Sequence, residues 1–484
     1  MAQLERQPVE PLRPDFTCAF HTTAQLDRLK QATLDVLERV GVRFPSDKAL
    51  RLLAEHGALV DPETRIAKFP ADLVLAAMSK APRTFTLGAR DPSCDIPVGD
   101  GNTYCTSDGC GPLIIDPLTG EQRRSTKADV EAVARMLDYL GSLAFWWPTV
   151  SAGDYGETSQ LHEVEAGFRN TVKHLQGMVQ GERAARFALE MATVVAGSAE
   201  ELRRRPVMSD LIGTISPLVQ DTDGIEAALV FAEAGVPICF VTMPTLGTTA
   251  PATKAGAFAL AAAELVSATV LVQLVAPGAP VIHSYIPSYV DPRTGGFLSF
   301  PRDHRGASLT AELPHHWGVP AEGTSCGTDS QLPGTWQSGV EEAVSLVEAA
   351  QLGADLMPSI GLLSTYTTFS AEHLVLGDDI YHRARCLVKD IAFDDDALAM
   401  EAIADVGPGG HFLGHRHTRT HMRDAVVRGV THEFGPDGGY RDALEVARER
   451  AQLLWREYRP EPLEADKAAE LARIAAAAER ELKG

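Results

Sequence analysis

Apolar and polar positions along the chain divide it into four stretches. Residues 1–20 show no sustained period and form an arm. Residues 26–42 and 46–57 place apolar side chains three and four apart, which predicts two amphipathic helices stopped at Gly41 and Gly57. A third helix is predicted over 67–82, with Pro70 in its first turn. From 83 to 126 the pattern changes to short alternating runs broken by Gly, Asp and Pro, which predicts hairpins.

From residue 127 short apolar runs alternate with helical ones. Strands are predicted at 142–150, 174–180, 207–218, 237–244, 280–285, 320–326 and 355–363, with amphipathic helices between them. Such alternation implies a parallel sheet covered by helices. So many units in series favour a TIM-type (β/α)8 barrel, an α/β fold, over an open sheet. HFLGH at 411–415, after a helical region at 371–405, is taken as the eighth strand. The expected organisation is an arm (1–20), a helical and β-hairpin extension (21–126), a catalytic barrel (127–440) and a charged helical segment (441–484).

Apolar residues make up 45% of the 484, enough for a large core, so a disordered chain is excluded. Lys and Arg number 44 against 65 Asp and Glu, a net charge of −21, which disfavours general nucleic-acid binding. Seven cysteines in a chain of this length imply reduced thiols in a cytoplasmic protein rather than a disulfide framework. The N-terminal residues carry charges and prolines where a secretory signal needs an apolar run, and the longest apolar stretch, 255–278, contains Glu264 and Gln273. A buried helix followed by a strand fits it better than a membrane span.

The sequence contains no Rossmann fingerprint, Walker A motif or HExxH. His417 and His421 would share a helix face, but no nearby Cys or acidic ligand completes a metal set, so no metal site is assigned. In a barrel the chemistry lies at the C-terminal strand ends. Here those ends carry small residues, hydroxyls and aromatics, with few carboxylate pairs. Aromatic walls can hold a cation without a counter-charge, which favours a methylated ammonium or a bulky cofactor over a sugar phosphate.

Five stretches carry a family resemblance: SDGCGPLIIDPLTGEQRRST, SDLIGTISPL, VPICFVTMPTLGTTAPAT, GTSCGTDSQLPGTWQSGVEEAVSLVEAAQLGAD and GPGGHFLGHRHTRTHMR. Together they resemble the trimethylamine–corrinoid methyltransferase family over residues 20–460. That resemblance implies a barrel that moves a methyl group from a methylated amine to the cobalt of a corrinoid (cobalamin) held on a separate protein. The family's founders use pyrrolysine for a tertiary amine. This chain reads through TDSQLPGTWQ with ordinary residues, and so resembles the branch without pyrrolysine, whose substrates are quaternary amines such as glycine betaine. A quaternary nitrogen already carries a good leaving group and needs no proton.

The roles expected on this basis are as follows. Trp146, Tyr285, Trp336 and Tyr366 wall the ammonium, Gln331 and His283 orient a polar tail, and Asp329 meets the cation or caps a helix. Thr214, Ser216, Thr248 and Ser330 line the mouth facing the corrinoid, and His411 and His417 bind a tail carboxylate or support the pocket. The expected partners are a cognate corrinoid protein, a small quaternary amine and a second copy of the chain; nucleic acid and membrane are not expected. A trimethylamine methyltransferase, another barrel enzyme such as a lyase or demethylase, and a non-enzymatic binding protein remain alternatives.

Overall fold

A computed structural model describes residues 4–298, 307–323, 327–422 and 429–482. Residues 324–326, at the end of the predicted sixth strand, lie outside it.

Eight short strands run parallel and in chain order: β1 (Tyr104–Ser107), β2 (Phe145–Trp146), β3 (His174–Gly177), β4 (Met208–Ile215), β5 (Ile238–Thr242), β6 (Val281–Tyr285), β7 (Ala321–Glu322) and β8 (Leu356–Ile360). Pairing is continuous from β2 through β8 and on to β1. The ring closes between β1 and β2, where the Ala144 N–H donates to the Cys105 carbonyl at 2.6 Å. Just beyond, the Cys110 and Gly111 N–H groups donate to the Pro148 and Thr149 carbonyls at 2.7 and 2.9 Å.

A helix follows each strand: α1 (Lys127–Tyr139), α2 (Ser159–Asn170), α3 (Glu182–Ala196), α4 (Thr222–Ala234), α5 (Lys254–Val275), α6 (Ser308–Trp317), α7 (Trp336–Leu352) and α8 (Ala371–Leu387). Eight β/α units thus form one closed, barrel-like α/β fold.

The ring starts earlier and ends earlier than the pattern predicts. Residues 104–107 supply the first strand from inside the stretch read as hairpins, and residues 411–415 form no strand. All four residues of β1 are buried, so it shows no alternation, and its partners lie far away in sequence. The hairpin reading holds on both sides of it. Phe85–Leu87 pairs with Ile96–Val98, and Leu113–Ile115 with Gln122–Arg124. Leu87, Ile96 and Val98 of the first hairpin join Phe145, Leu211 and Ile282 in one apolar cluster that fills the lower barrel.

α5 is apolar all round because two layers cover it. The sheet lies on one side, and the N-terminal helices Thr23–Asp35 and Ala71–Met78 lie on the other. It is long and apolar enough to cross a membrane, yet 83% of its most apolar window is buried inside the protein. One unbroken helix spans 254–275, and the next strand begins only at Val281.

After α8 an arm, 389–440, carries three short helices: α9 (Asp395–Leu398), α10 (Met400–Val406) and α11 (Arg416–His421). The chain then returns to the barrel through α12 (Ala443–Glu457), packed on α8 and α1, and α13 (Ala465–Leu482), packed on α2 and α3.

Candidate active site

Neighbouring residues in a parallel sheet point to the same face, so strand register decides what enters the lumen. Gly213, Val241, Ser284, Glu322, Leu356 and Tyr104 pair in turn around the ring. Val241, Leu356 and Tyr104 belong to the inner cluster, which places Ser284 and Glu322 inside as well. Gln176 of β3 reaches across and donates from Nε2 to Glu322 Oε2 at 2.9 Å. Both residues are fully buried.

Burial pushes the Glu322 carboxyl up to about 7, although hydrogen bonds from Gln176 and Cys239 pull it down. A neutral acid at this depth avoids the large cost of a buried charge. Its other oxygen, Oε1, has no partner among the described residues, and the same holds for Gln176 Oε1, Ser284 Oγ and Trp147 Nε1. Each unmet buried group costs on the order of 1–3 kcal/mol. A buried lumen with unmet donors and acceptors of both kinds suits a small polar guest.

The raised carboxyl value has a consequence for stability. Folded Glu322 holds its proton more tightly than it does in the unfolded chain. Its contribution therefore favours folding at low pH and is lost as pH rises from its ordinary value of 4.5 to about 7. Across that window wild type is expected to lose about 3 kcal/mol relative to Glu322→Gln. Denaturant unfolding at pH 5 and pH 8 checks this; an equal gap between the two proteins at both values would refute it.

Strained backbone marks the same end of the barrel. Among the described residues, non-glycine positive φ angles occur at Cys110 (66°) after β1, Leu218 (58°) after β4, and Ser364, Thr365 and Tyr366 (53°, 56° and 65°) after β8. Arg65 and Ala399 are the others, away from the barrel. Such strain collects at ligand sites because the surrounding structure must impose it. Asp108 and Tyr366 close on Gly327 here: a Cβ at 327 would lie 2.8 Å from Asp108 Oδ2 and 3.0 Å from Tyr366 Cε1. Only glycine permits that approach.

The family model described as trimethylamine methyltransferase (MTTB) matches residues 2–483. The chain belongs to that family. The trimethylamine methyltransferase MttB of Desulfitobacterium hafniense strain DCB-2 is 31% identical over 454 residues, 93% of this chain and 91% of that one. The glycine betaine methyltransferase of strain Y51 is 27% identical, over 90% of this chain and 91% of its own length. Further relatives in Methanosarcina species carry the trimethylamine name. The crystal structure of the monomethylamine methyltransferase MtmB of Methanosarcina barkeri matches 92% of each chain at a TM-score of 0.41 and 12% identity.

In this MTTB-family protein the residues singled out from sequence separate into three groups. Trp146, His283 and Tyr285 point outward, into the helix layer. Trp146 lies against Gly167 of α2, where any Cβ would collide with its ring. His283 Nε2 meets Thr269 Oγ1 of α5 at 2.8 Å, and burial lowers its value to about 3. Tyr285 packs on Phe258 of α5, ring centres 5.7 Å apart. Thr214 and Ser216 also turn outward and donate to Glu264 of α5, at 2.6 and 2.9 Å.

A second group lies at the mouth. Asp329 accepts from Thr365 Oγ1 at 2.9 Å, and Ser330 Oγ bonds Leu332 O and Thr335 Oγ1 at 3.0 and 2.8 Å. Glu341 of α7 holds this loop by accepting from Thr328 Oγ1 and the Asp329 N–H. Tyr366 lies against Gly327. Gln331 and Thr248 lie in exposed turns, and Trp336 stands 88% exposed in the first turn of α7.

The third group, His411 and His417, lies in the arm, with the His417 and His421 rings tilted against each other, centres 4.2 Å apart. Glu322, Gln176, Ser284 and Trp147 were not singled out from sequence. One signal was available for the first: a lone glutamate inside the apolar strand run PAEG is costly to bury without a use.

Proposed function

We propose that this protein is a corrinoid-dependent methyltransferase that takes a methyl group from a small methylated amine, trimethylamine first, and delivers it to a reduced corrinoid carried by a partner protein. The observation that carries this reading is the protonatable Glu322 carboxyl in the lumen, flanked by the unmet polar atoms of Gln176, Ser284 and Trp147. Membership of the family supports it, as do the names of most of the relatives.

A tertiary amine leaves as a good leaving group only when its nitrogen carries a proton. Glu322 supplies or retains that proton: at about 7 the carboxyl is poised to share it with an amine near neutral pH. The methyl carbon then passes to the corrinoid, the C–N bonding pair stays on nitrogen, and dimethylamine departs neutral with the shared proton. Trp147 offers an aromatic face to the methylammonium, in place of its neighbour Trp146. Exclusion of water in the closed lumen keeps the proton on the nitrogen.

The rim fits a partner protein. Ile215 at the end of β4, and Met243, Phe297, Leu332 and Trp336 in the segments that follow β5, β6 and β7, are exposed at the mouth. Among the described residues no group of three or more His, Cys, Asp or Glu could hold a metal ion.

A quaternary donor such as glycine betaine is the second reading. Ordinary residues throughout 328–337 favour it, together with the relative of that name. The names of most of the relatives weigh against it. The test offers trimethylamine, dimethylamine, glycine betaine, carnitine, choline and proline betaine singly to the protein with a reduced corrinoid protein under anoxic conditions. The cobalt spectrum is expected to change with trimethylamine. Conversion with glycine betaine and none with trimethylamine would reverse the order, and no conversion with any donor would end the proposal.

A further inference from the structure

Three carboxylates near the mouth hold loops. Glu163 accepts from Ser151 Oγ and the Ala152 N–H at 3.0 and 2.9 Å. Glu341 accepts from Thr328 Oγ1 and the Asp329 N–H, and from Gln337 Nε2 through its other oxygen. Asp329, expected from sequence to meet the cation, accepts from Thr365 Oγ1 and so ties its loop to the strained turn after β8.

Asp108 is placed differently. It extends β1 by one step, its N–H donating to the Ile360 carbonyl at 3.1 Å. It lies four residues on from Tyr104, whose side chain belongs to the inner cluster, so it falls on the same face, toward the lumen. It is buried. Oδ1 accepts from the neighbouring Gly109 N–H at 3.1 Å. Oδ2 is turned toward Gly327, in the loop after β7, so the carboxylate reaches across the end of β8.

Its height in the barrel follows from register. Gly109 lies on the indole of Trp147, where a Cβ would come within 2.4 Å of the ring. Trp147 stands level with Gln176 along the sheet, because Trp146 pairs with Leu175. Tyr104, in the other direction, stands level with Glu322 through Leu356. The Gln176–Glu322 hydrogen bond joins the two ends of this path. It therefore lies about midway in height between Tyr104 and Asp108, and Asp108 stands roughly 5 Å nearer the mouth than that bond. One small amine can lie between the two carboxyl groups.

We infer that Asp108 recognises the positive charge of the methylated amine from the mouth side, beside the Trp147 wall, and makes the lumen select a cation over a neutral molecule of the same shape. This rests on the methylated-amine reading above. The charge of such an ion is spread over its methyl hydrogens, which a carboxylate meets through C–H···O contacts, and the attraction is strong away from water. The N–H end of the ion is left to Glu322. Methyl transfer removes the charge from nitrogen, so Asp108 favours the bound amine over the transition state and acts on binding rather than on the transfer step.

The test measures binding of trimethylammonium chloride and of tert-butanol, a neutral molecule of similar shape, to the full chain at pH 7 by ligand-observed NMR titration. Wild type is expected to hold the cation at least about tenfold more tightly than the alcohol. Asp108→Asn keeps the size of the side chain and removes its charge. It is expected to weaken the cation by about 10-fold to 100-fold and tert-butanol by less than about threefold. In turnover the KM for trimethylamine should rise by the same factor with kcat within about threefold of wild type, the reverse of Glu322→Gln. A wild type that does not prefer the cation, an unchanged cation affinity in the variant, or equal losses for both ligands would each overturn the inference. Neither ligand needs a corrinoid to bind, so these outcomes are read separately from the cobalt spectrum that tests the proposed function.

Discussion

Glu322→Gln is expected to lower kcat/KM for trimethylamine by about 100-fold to 10,000-fold, the range general acids contribute. The substitution keeps the size of the side chain and a carbonyl oxygen beside Gln176 Nε2, 2.9 Å from the wild-type carboxylate. It removes the one carboxyl proton in that ring of the lumen. Binding of the amine should fall less than turnover, because Trp147 and Ser284 remain.

The donor series sharpens the result. A quaternary amine needs no proton on nitrogen, so any turnover it shows should survive the substitution within about tenfold. Wild type should also lose trimethylamine turnover as pH rises well above 7, where the carboxyl is ionised in the free protein, and the variant should lack that limb. An unchanged kcat/KM for trimethylamine in Glu322→Gln would sink the proton-donor role.

Glu264→Ala is expected to cost on the order of 3–5 kcal/mol of stability. The carboxylate sits inside α5 with no exposure and accepts from four donors on two strands and a loop. These are Thr214 Oγ1 at 2.6 Å, Ser216 Oγ at 2.9 Å, Thr242 Oγ1 at 2.6 Å and the Leu218 N–H at 2.8 Å. Alanine leaves all four unmet and opens a cavity. Leu218 holds one of the positive φ angles of the rim, so the loop after β4 should loosen with it. Denaturant unfolding at pH 7 measures the loss, and proteolysis between 214 and 220 reports the loop. A loss under 1 kcal/mol would show that water replaces the carboxylate.

The two roles of Thr214 and Ser216 show how legible the site was. Sequence placed both at a strand end near the mouth, which is where they lie. It did not show which way they face. On the Phe145-Trp146-Trp147 run it favoured Trp146 as a wall, and on Val281–Tyr285 it favoured His283 and Tyr285. The structure turns all three outward and turns Trp147 and Ser284 inward. A barrel strand is buried on both faces, so hydrophobicity carries no alternation there to separate lumen from helix layer.

The sequence by itself determined the repeated strand–helix order, the parallel sheet it implies, the helical and hairpin elements before it and the outer C-terminal helices. These follow from local periodicity and turn chemistry, which need only neighbours along the chain. Only the tertiary structure decided that Tyr104–Ser107 opens the ring, that 411–415 belongs to the arm after α8, and that Glu322 and Gln176 meet across the lumen. Each of these depends on strand pairing between segments far apart in sequence. One step of register there moves every side chain to the opposite face.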